Sequence, residues 1–511
     1  MARRENRRDG GRAARHAAKA VTPDQTDPVA GGGYQPLAAP EIERIHDAAL
    51  TVLEEVGMGD PTPELARLAV DAGVILGDDR RLRFPRAWVE DMVAALPKRF
   101  TLHGRVPGRE IELGAGLTHF ATGGTVVRML DMETGGFRPS TLQDVYDCAR
   151  VAEACENLHV FNRTVVASDI TDPLTLDICT AYSLIAGTTK PIGTGFYDAA
   201  HVADGVAMFD HVLGGEGEFA KRPFSTCNCC SIVPPLKYGF ENTEVAIAGA
   251  RAGFPVKMVV AAQSGATAPA ALAGTLVQTV AETLGGCAIV HLAKKGAPVI
   301  FANYPFVSDL RTGSFSGGGG EIAVMAAAST QIARWYGLPN ATAAGMTDAK
   351  EPDAQYGWEK GVTDLATGLA GPDIIYESAG MLGSLIGCSL ESLVIDNEML
   401  GNARQCVKGI EVTDDSLSVE VIRDVCLGGP GHFLGHPQTL ELMNSEYVYP
   451  VLGGRDSPDA WDQAGRPAMR ARAGDRVREI LASSAPLVPA KIEDEIARRF
   501  PIRRHHGERA A

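Results

Sequence analysis

What this 511-residue sequence lacks already narrows its function. Aromatic residues are only 6% of the chain, and acids outnumber bases 63 to 48, for a net charge of −15 at pH 7. A chain this acidic does not suit nucleic acid as a general partner. No apolar run approaches the roughly 18 residues that span a bilayer, so no membrane segment is expected. The basic N-terminus "MARRENRRDGGRAARHAAKA" has no apolar stretch behind it, which excludes a secretory signal. It reads as a disordered tail over 1–33, with a mitochondrial-type presequence as the alternative.

Metal-ligand spacing is missing as well. Only "CNCC" (227–230) clusters any of the ten cysteines, and no second Cys or His pair matches it, so it reads as a packed strand. The remaining cysteines lie in apolar surroundings, as reduced, inert thiols of a cytoplasmic enzyme do. "HFLGH" places His432 and His436 four residues apart without the Glu of an H-E-x-x-H site, which favours a structural role and no metal. "ATGGT" (121–125) does not match the Gly-rich fingerprint of an open doubly wound sheet.

What is present is a rhythm. Short runs of small and β-branched residues recur at "THFATGG", "NLHVFNRTVV", "KPIGTGF", "PFSTCNCC", "PVKMVVAAQSG", "APVIFANYPF", "PNATAAGMTD" and "DIIYESAG", beginning at residues 118, 157, 190, 223, 255, 297, 339 and 373. Helical stretches such as "TLQDVYDCARVAEAC" and "PAALAGTLVQTVAETLGG" separate them. Alternation of this kind makes βα units, and eight of them predict a closed (β/α)8 barrel of the α/β class. The barrel is expected over 117–400, after a mixed α/β segment over 34–116 and before a C-terminal helical extension over 401–511. In the first of these, Ile42, Ile45, Ala49, Leu53 and Val56 recur at helical spacing up to a stop at Gly57. "RRLRFPRAWVEDMVAAL" reads as a strand followed by a helix.

Active sites of such barrels lie at the C-terminal ends of the strands. That rim collects Thr122, Gly123, Gly124, Phe196, Tyr197, Gln263, Ser264, Asn303, Tyr304, Phe306, Met346, Thr347, Asp348, Lys350, Tyr376, Glu377 and Ser378. Glu377 stands out, because a carboxylate on an apolar strand is costly unless paired or used. Asp348 and Lys350 are the other candidate catalytic groups, although a surface ion pair accounts for them equally. "SGGGGE" (316–321) enters a helix and could present N–H groups to an anion. Tyr356 and Trp358, among four acids and two lysines in "AGMTDAKEPDAQYGWEKG", either cap the barrel or face a cation.

That segment, with "DIIYESAGMLG", "GGPGHFLGHPQTLELMNSEYVYP" and "IERIHDAALTVLEEVGM", resembles the trimethylamine methyltransferase family, and the likeness runs from about residue 34 to the C-terminus. The resemblance implies a (β/α)8 barrel that passes a methyl group from a methylated amine to the Co(I) of a corrinoid on a separate protein. One branch uses pyrrolysine on trimethylamine; another lacks it and acts on quaternary amines such as glycine betaine. Only standard residues occur here, including around Met346, which points to the second branch. A quaternary ammonium leaves as a neutral tertiary amine and suits aromatic faces. Tyr356, Trp358, Tyr304, Phe306 and Tyr376 are the candidate cage, with Met346 and Gln263 as further substrate contacts, Asp348 or Glu377 attracting the cation, and Lys350 or "SGGGGE" taking a substrate carboxylate. No D-x-H-x-x-G segment occurs, so the corrinoid is expected on its own protein, with no cofactor bound tightly to this chain. The chain is expected to form a homo-oligomer. Two other readings stay open: a barrel lyase or hydrolase on a small carboxylate, using Lys350 or metal-bound acids, and a betaine-binding protein without turnover.

Overall fold

The computed structural model describes residues 27–483 and 485–505. Its centre is a ring of eight strands: β1 His119–Thr122, β2 Phe161–Asn162, β3 Ile192–Thr194, β4 Ser225–Cys229, β5 Val256–Val260, β6 Val299–Asn303, β7 Asn340–Ala343 and β8 Ile374–Ala379. Every neighbouring pair is parallel, and a bridge between Ala121 and Val160 joins β1 to β2 to close the barrel. Each strand falls within one of the eight runs read from the sequence. Each is followed by a helix: α1 Leu142–Glu153, α2 Pro173–Gly187, α3 His201–Leu213, α4 Phe240–Ala252, α5 Leu272–Ala293, α6 Gly320–Trp335, α7 Ala354–Ala370 and α8 Leu390–Lys408. Strands covered on both faces explain the near-continuous apolar runs.

The two barrel mouths differ. Strands Phe100–Leu102 and Ile111–Leu113 form an antiparallel hairpin across the N-terminal mouth. Its Leu102, Ile111 and Leu113 are buried in one cluster with Ala121, Val160, Ile300, Ala302 and Ile374. The N–H of Gly114 donates to Asp373 just before β8, at 2.9 Å, pinning the plug. Two small sheets fence the C-terminal mouth: Gln263–Ser264 with Phe306–Asp309 and Ser314–Ser316, and Met381–Leu382 and Gly387–Cys388 with Arg128–Leu130 and Phe137–Pro139.

Three details depart from the sequence reading. Residues 1–26 lie outside the described residues, but 27–33, expected to belong to the tail, are seated: Val29 bridges Thr118, and the N–H of Gly32 donates to the Leu369 carbonyl at 2.7 Å. The first helix, Ala39–Thr51, ends in a π-wound turn over Val52–Val56 that shifts the phase and turns Val56 to solvent, while Ile42, Ile45, Ala49 and Leu53 are buried as expected. The 22-residue α5 is long and apolar enough to cross a membrane, but it packs between the N-terminal segment and the barrel and is mostly buried. "RRLRFPRAWVEDMVAAL" folds as expected, into strand Arg81–Arg83 and helix Arg86–Ala95.

Candidate active site

Alternation along the strands sends one residue in two into the lumen, and near the open mouth several of these are polar. On β4 and β2, Asn228 and Asn162 reach over β3, with the Asn228 Nδ2 donating to Asn162 Oδ1 at 2.5 Å. The residue between them is Gly193, where a Cβ would stand 2.1 Å from Asn162 Oδ1, so only glycine leaves room for this amide pair. On β5, Lys257 is 3% exposed. Its Nζ donates to Asn162 Oδ1 at 3.4 Å and lies 3.6 Å from the centre of the Tyr376 ring on β8. Strands β5 and β8 are not neighbours, so this lysine spans the lumen.

Glu377 on β8 has φ +67°, the left-handed region that a non-glycine residue enters at a cost of about 1–3 kcal/mol. The pairing of β8 with β1 slips between Ile375 and Ala379, and the carboxylate is carried to Gly123 and Gly124 at the end of β1. A Cβ on Gly123 would stand 2.6 Å from Glu377 Oε1, which explains the paired glycines of "ATGGT". Glu377 is 7% exposed, and its Oε2 has no hydrogen-bond partner among the described residues. Burial pushes its carboxyl up, partly offset by Lys257, and pushes the Lys257 ammonium down, partly offset by Glu377. The two charges nevertheless form no ion pair within 4.0 Å among the described residues.

The aromatic wall stands beside them. Ring centres of Tyr304 and Tyr376 are 6.5 Å apart, those of Tyr304 and Phe306 6.1 Å, and those of Phe306 and Phe315 4.9 Å. Met346, fully buried, packs into the same cluster. The Tyr304 hydroxyl is buried without a hydrogen-bond partner among the described residues, and the buried Tyr376 hydroxyl has Thr226 beside it. Cys230, next in line after Asn228, is exposed, although desolvation raises its thiol. That combination fits a side chain lining a recess, and Lys257, Glu377 and Arg163 all act on it electrostatically. Arg163, just beyond β2, accepts from the Thr125 hydroxyl through its carbonyl at 3.3 Å, and burial lowers its guanidinium, partly offset by Asp177.

Of the predicted site residues, the structure gathers Glu377, Tyr304, Phe306, Tyr376 and Met346 at the mouth, with Gln263 on the fencing sheet accepting from Ser308 at 2.8 Å. The structure gives six of the expected roles a different setting. Tyr356 is not on the rim: its ring is buried behind β8 and its hydroxyl donates to Asp396 at 2.5 Å. Trp358 lies on the solvent face of α7 and is 57% exposed. Lys350 is exposed, with its amine on the Asp348 carbonyl at 2.7 Å. Asp348 is a brace, accepting from Ser316, Gly317 and Ser384 at 2.7 Å each. The "SGGGGE" loop is therefore occupied from within, by Asp348 on Gly317 and by Glu359 against Gly318. The Tyr376 face, expected to take substrate, is already covered by Lys257.

Behind the mouth lies a second polar layer that the sequence reading missed. Lys360 on α7 pairs with Asp396 on α8 at 3.2 Å, both fully buried, and donates to the Gly345 carbonyl beyond β7. Asp396 also accepts from the Gly380 N–H at 2.8 Å. This knot fixes the ends of β7 and β8, and with them Glu377. Nearby Asp364 is buried, with its carboxyl pushed up to about 8 by desolvation. Among the described residues, no three His, Cys, Asp or Glu side chains gather as metal ligands. His436 instead caps helix Pro437–Leu442, accepting from the Gln438 N–H at 3.2 Å.

Fold and site together define a (β/α)8 barrel with one mouth covered by a hairpin and the other lined by a buried carboxylate, a buried lysine and aromatic rings. The sequence matches the family "Trimethylamine methyltransferase (MTTB)" over residues 3–508. It is 32% identical to a trimethylamine methyltransferase of Desulfitobacterium hafniense over 91% of this chain and 93% of that protein. It is 30% identical to a glycine betaine methyltransferase of the same species, strain Y51, over 91% and 97%, and 31% identical to a trimethylamine methyltransferase of Methanosarcina thermophila over 86% and 91%. This chain belongs to the trimethylamine methyltransferase family and is a methyltransferase by that membership.

Proposed function

We propose that this chain takes a methyl group from a quaternary methylated amine, in the manner of a betaine demethylase, and passes it to the Co(I) of a corrinoid held by a separate protein. Relatives named for trimethylamine and for glycine betaine frame the choice of substrate. The observation that carries the reading is Glu377, buried with an oxygen that has no partner among the described residues and close enough to act on Tyr304, whose ring neighbours Phe306. A carboxylate and aromatic faces are what a cation without N–H donors requires. The C–N electron pair stays on nitrogen, which leaves as a neutral tertiary amine; the chain's work is then positioning and electrostatics. The corrinoid supplies the nucleophile. In this reading the partner delivers it at the open C-terminal mouth.

A homo-oligomer in the cytoplasm belongs to the same reading. Ten free cysteines suit a reducing compartment, and Ile410, Leu427, Leu434 and Val451 in the C-terminal extension are each at least 80% exposed. The test is demethylation of a panel of quaternary amines with a reduced corrinoid protein. At least one should turn over, and trimethylamine should not, because no pyrrolysine is present. Comparable trimethylamine turnover would refute the branch. Lys257 gives specific ground for a second reading, a Schiff-base lyase. Borohydride trapping of a carbonyl compound on Lys257 would favour it.

A further inference from the structure

We infer that Lys257 is the anchor for a carboxylate on the substrate, so that Lys257 and Glu377 form the two poles of a site for a zwitterion. This rests on the quaternary-amine reading and deepens it. Three observations support it. The Lys257 ammonium is 3% exposed and has a single long hydrogen bond among the described residues, 3.4 Å to Asn162 Oδ1, where an ammonium can donate three. Glu377 has the Gly124 N–H acting on its carboxylate, yet its Oε2 is buried without a partner among the described residues. The two opposite charges share one lumen and influence each other, yet they stand too far apart to pair directly. A buried ammonium and a buried carboxylate left apart are expensive unless something fits between them. A molecule with its own cation and anion fits in one orientation, carboxylate to Lys257 and ammonium to Glu377.

The aromatic arrangement agrees. Lys257 covers the Tyr376 ring at 3.6 Å, so the substrate cation is left the faces of Tyr304 and Phe306, which follow the C-terminal end of β6. One end of the substrate is thereby fixed at the lumen floor, and its methyl groups point toward the open mouth. A cation without a carboxylate would meet the uncompensated Lys257 charge instead. Lys257 is thus a specificity-determining residue: it selects zwitterions and disfavours simple cations.

Binding of glycine betaine, choline and tetramethylammonium to the full chain, measured by calorimetry, tests this. Wild type should prefer glycine betaine at least tenfold over the other two. Lys257→Met should erase that preference by weakening glycine betaine at least 30-fold while leaving tetramethylammonium unchanged or tighter, and Lys257→Arg should restore most of it. Should the Met variant fail to fold, Lys257→Gln carries the same expectation. Parallel weakening of betaine and tetramethylammonium would overturn the inference, as would a preference that disappears in Arg163→Met but survives in Lys257→Met. Wild-type binding of all three without preference sinks the inference alone; binding of none sinks the proposed function beneath it.

Discussion

Replacing Glu377 with Gln is the most direct test of the site. The change keeps the size of the side chain and its seat between Gly123 and Gly124, and it removes one buried charge. Opposite unit charges about 5 Å apart at an effective dielectric of about 20 attract by about 3 kcal/mol. Lys257 sits in the same lumen and opposes part of that attraction, so the net loss should be about 10- to 100-fold in kcat/KM for a quaternary amine. The pH profile adds an independent readout. Burial raises the Glu377 carboxyl to about 7, and only its ionised form attracts a cation. Cation affinity in the wild type should therefore rise from about pH 6, while the Gln variant should lose the part of that rise centred near pH 7 and keep only the part set by Lys257, whose ammonium burial pushes down to about 8. The assay is steady-state demethylation with reduced corrinoid protein in excess, beside equilibrium binding of tetramethylammonium across that pH range. A Gln variant within about threefold of wild type and with the same pH profile would show that Glu377 does not face the substrate.

Tyr356→Phe should cost about 1–3 kcal/mol of stability, because it leaves Asp396 short of a donor in a buried layer, and should leave substrate affinity unchanged. Trp358→Ala should alter stability by less than about 0.5 kcal/mol and affinity not at all, read by thermal melts and calorimetry. Gly123→Ala places a methyl 2.6 Å from the Glu377 carboxylate and should reproduce the kinetic loss of the Gln variant with native circular dichroism. Asp364 has a folded-state pKa of about 8, above its unfolded value, so the folded state holds the proton more tightly. Its ionisation penalises folding as pH rises from about 4 to about 8, by at most about 1.4 kcal/mol per unit. Asp364→Asn should flatten that slope in denaturant titrations, and an identical slope in both proteins would place the titration elsewhere.

The barrel was legible because its signal is repeated and local. Each of the eight runs carries its own apolar bias, and a single misreading would not have hidden the βα alternation. Glu377 was legible for a related reason: one carboxylate in "DIIYESAG" violates the pattern around it. The same logic applied to "PVKMVV" marks Lys257 as a charge inside an apolar strand. Its signal is weaker than that of Glu377, because lysine is usually tolerated by extending its stem to solvent. Here a closed barrel leaves no solvent to reach, and the amine instead crosses the lumen to β8.

Tyr356 and Trp358 show why the rest was not legible. Both follow β7 in sequence, and proximity in sequence was taken for proximity to the mouth. The intervening residues turn into α7 at the Asp353 cap, which accepts from the Tyr356 N–H at 2.9 Å. From there, helix phase decides. Tyr356, Glu359, Lys360, Thr363 and Asp364 face inward, while Trp358 falls on the opposite side. Four inward polar or charged residues on one helix face look, as sequence, like a solvated stripe. Lys360 is buried because Asp396 on α8 and the Gly345 carbonyl are its partners, and Glu359 because the Thr347 hydroxyl and the Asp348 N–H donate to it, all of them outside α7. A sequence pattern distinguishes buried from exposed charge only when the partner is near in sequence. Functional barrels place such partners on the next helix, so the layer that steadies Glu377 emerges only once α7 and α8 are packed together.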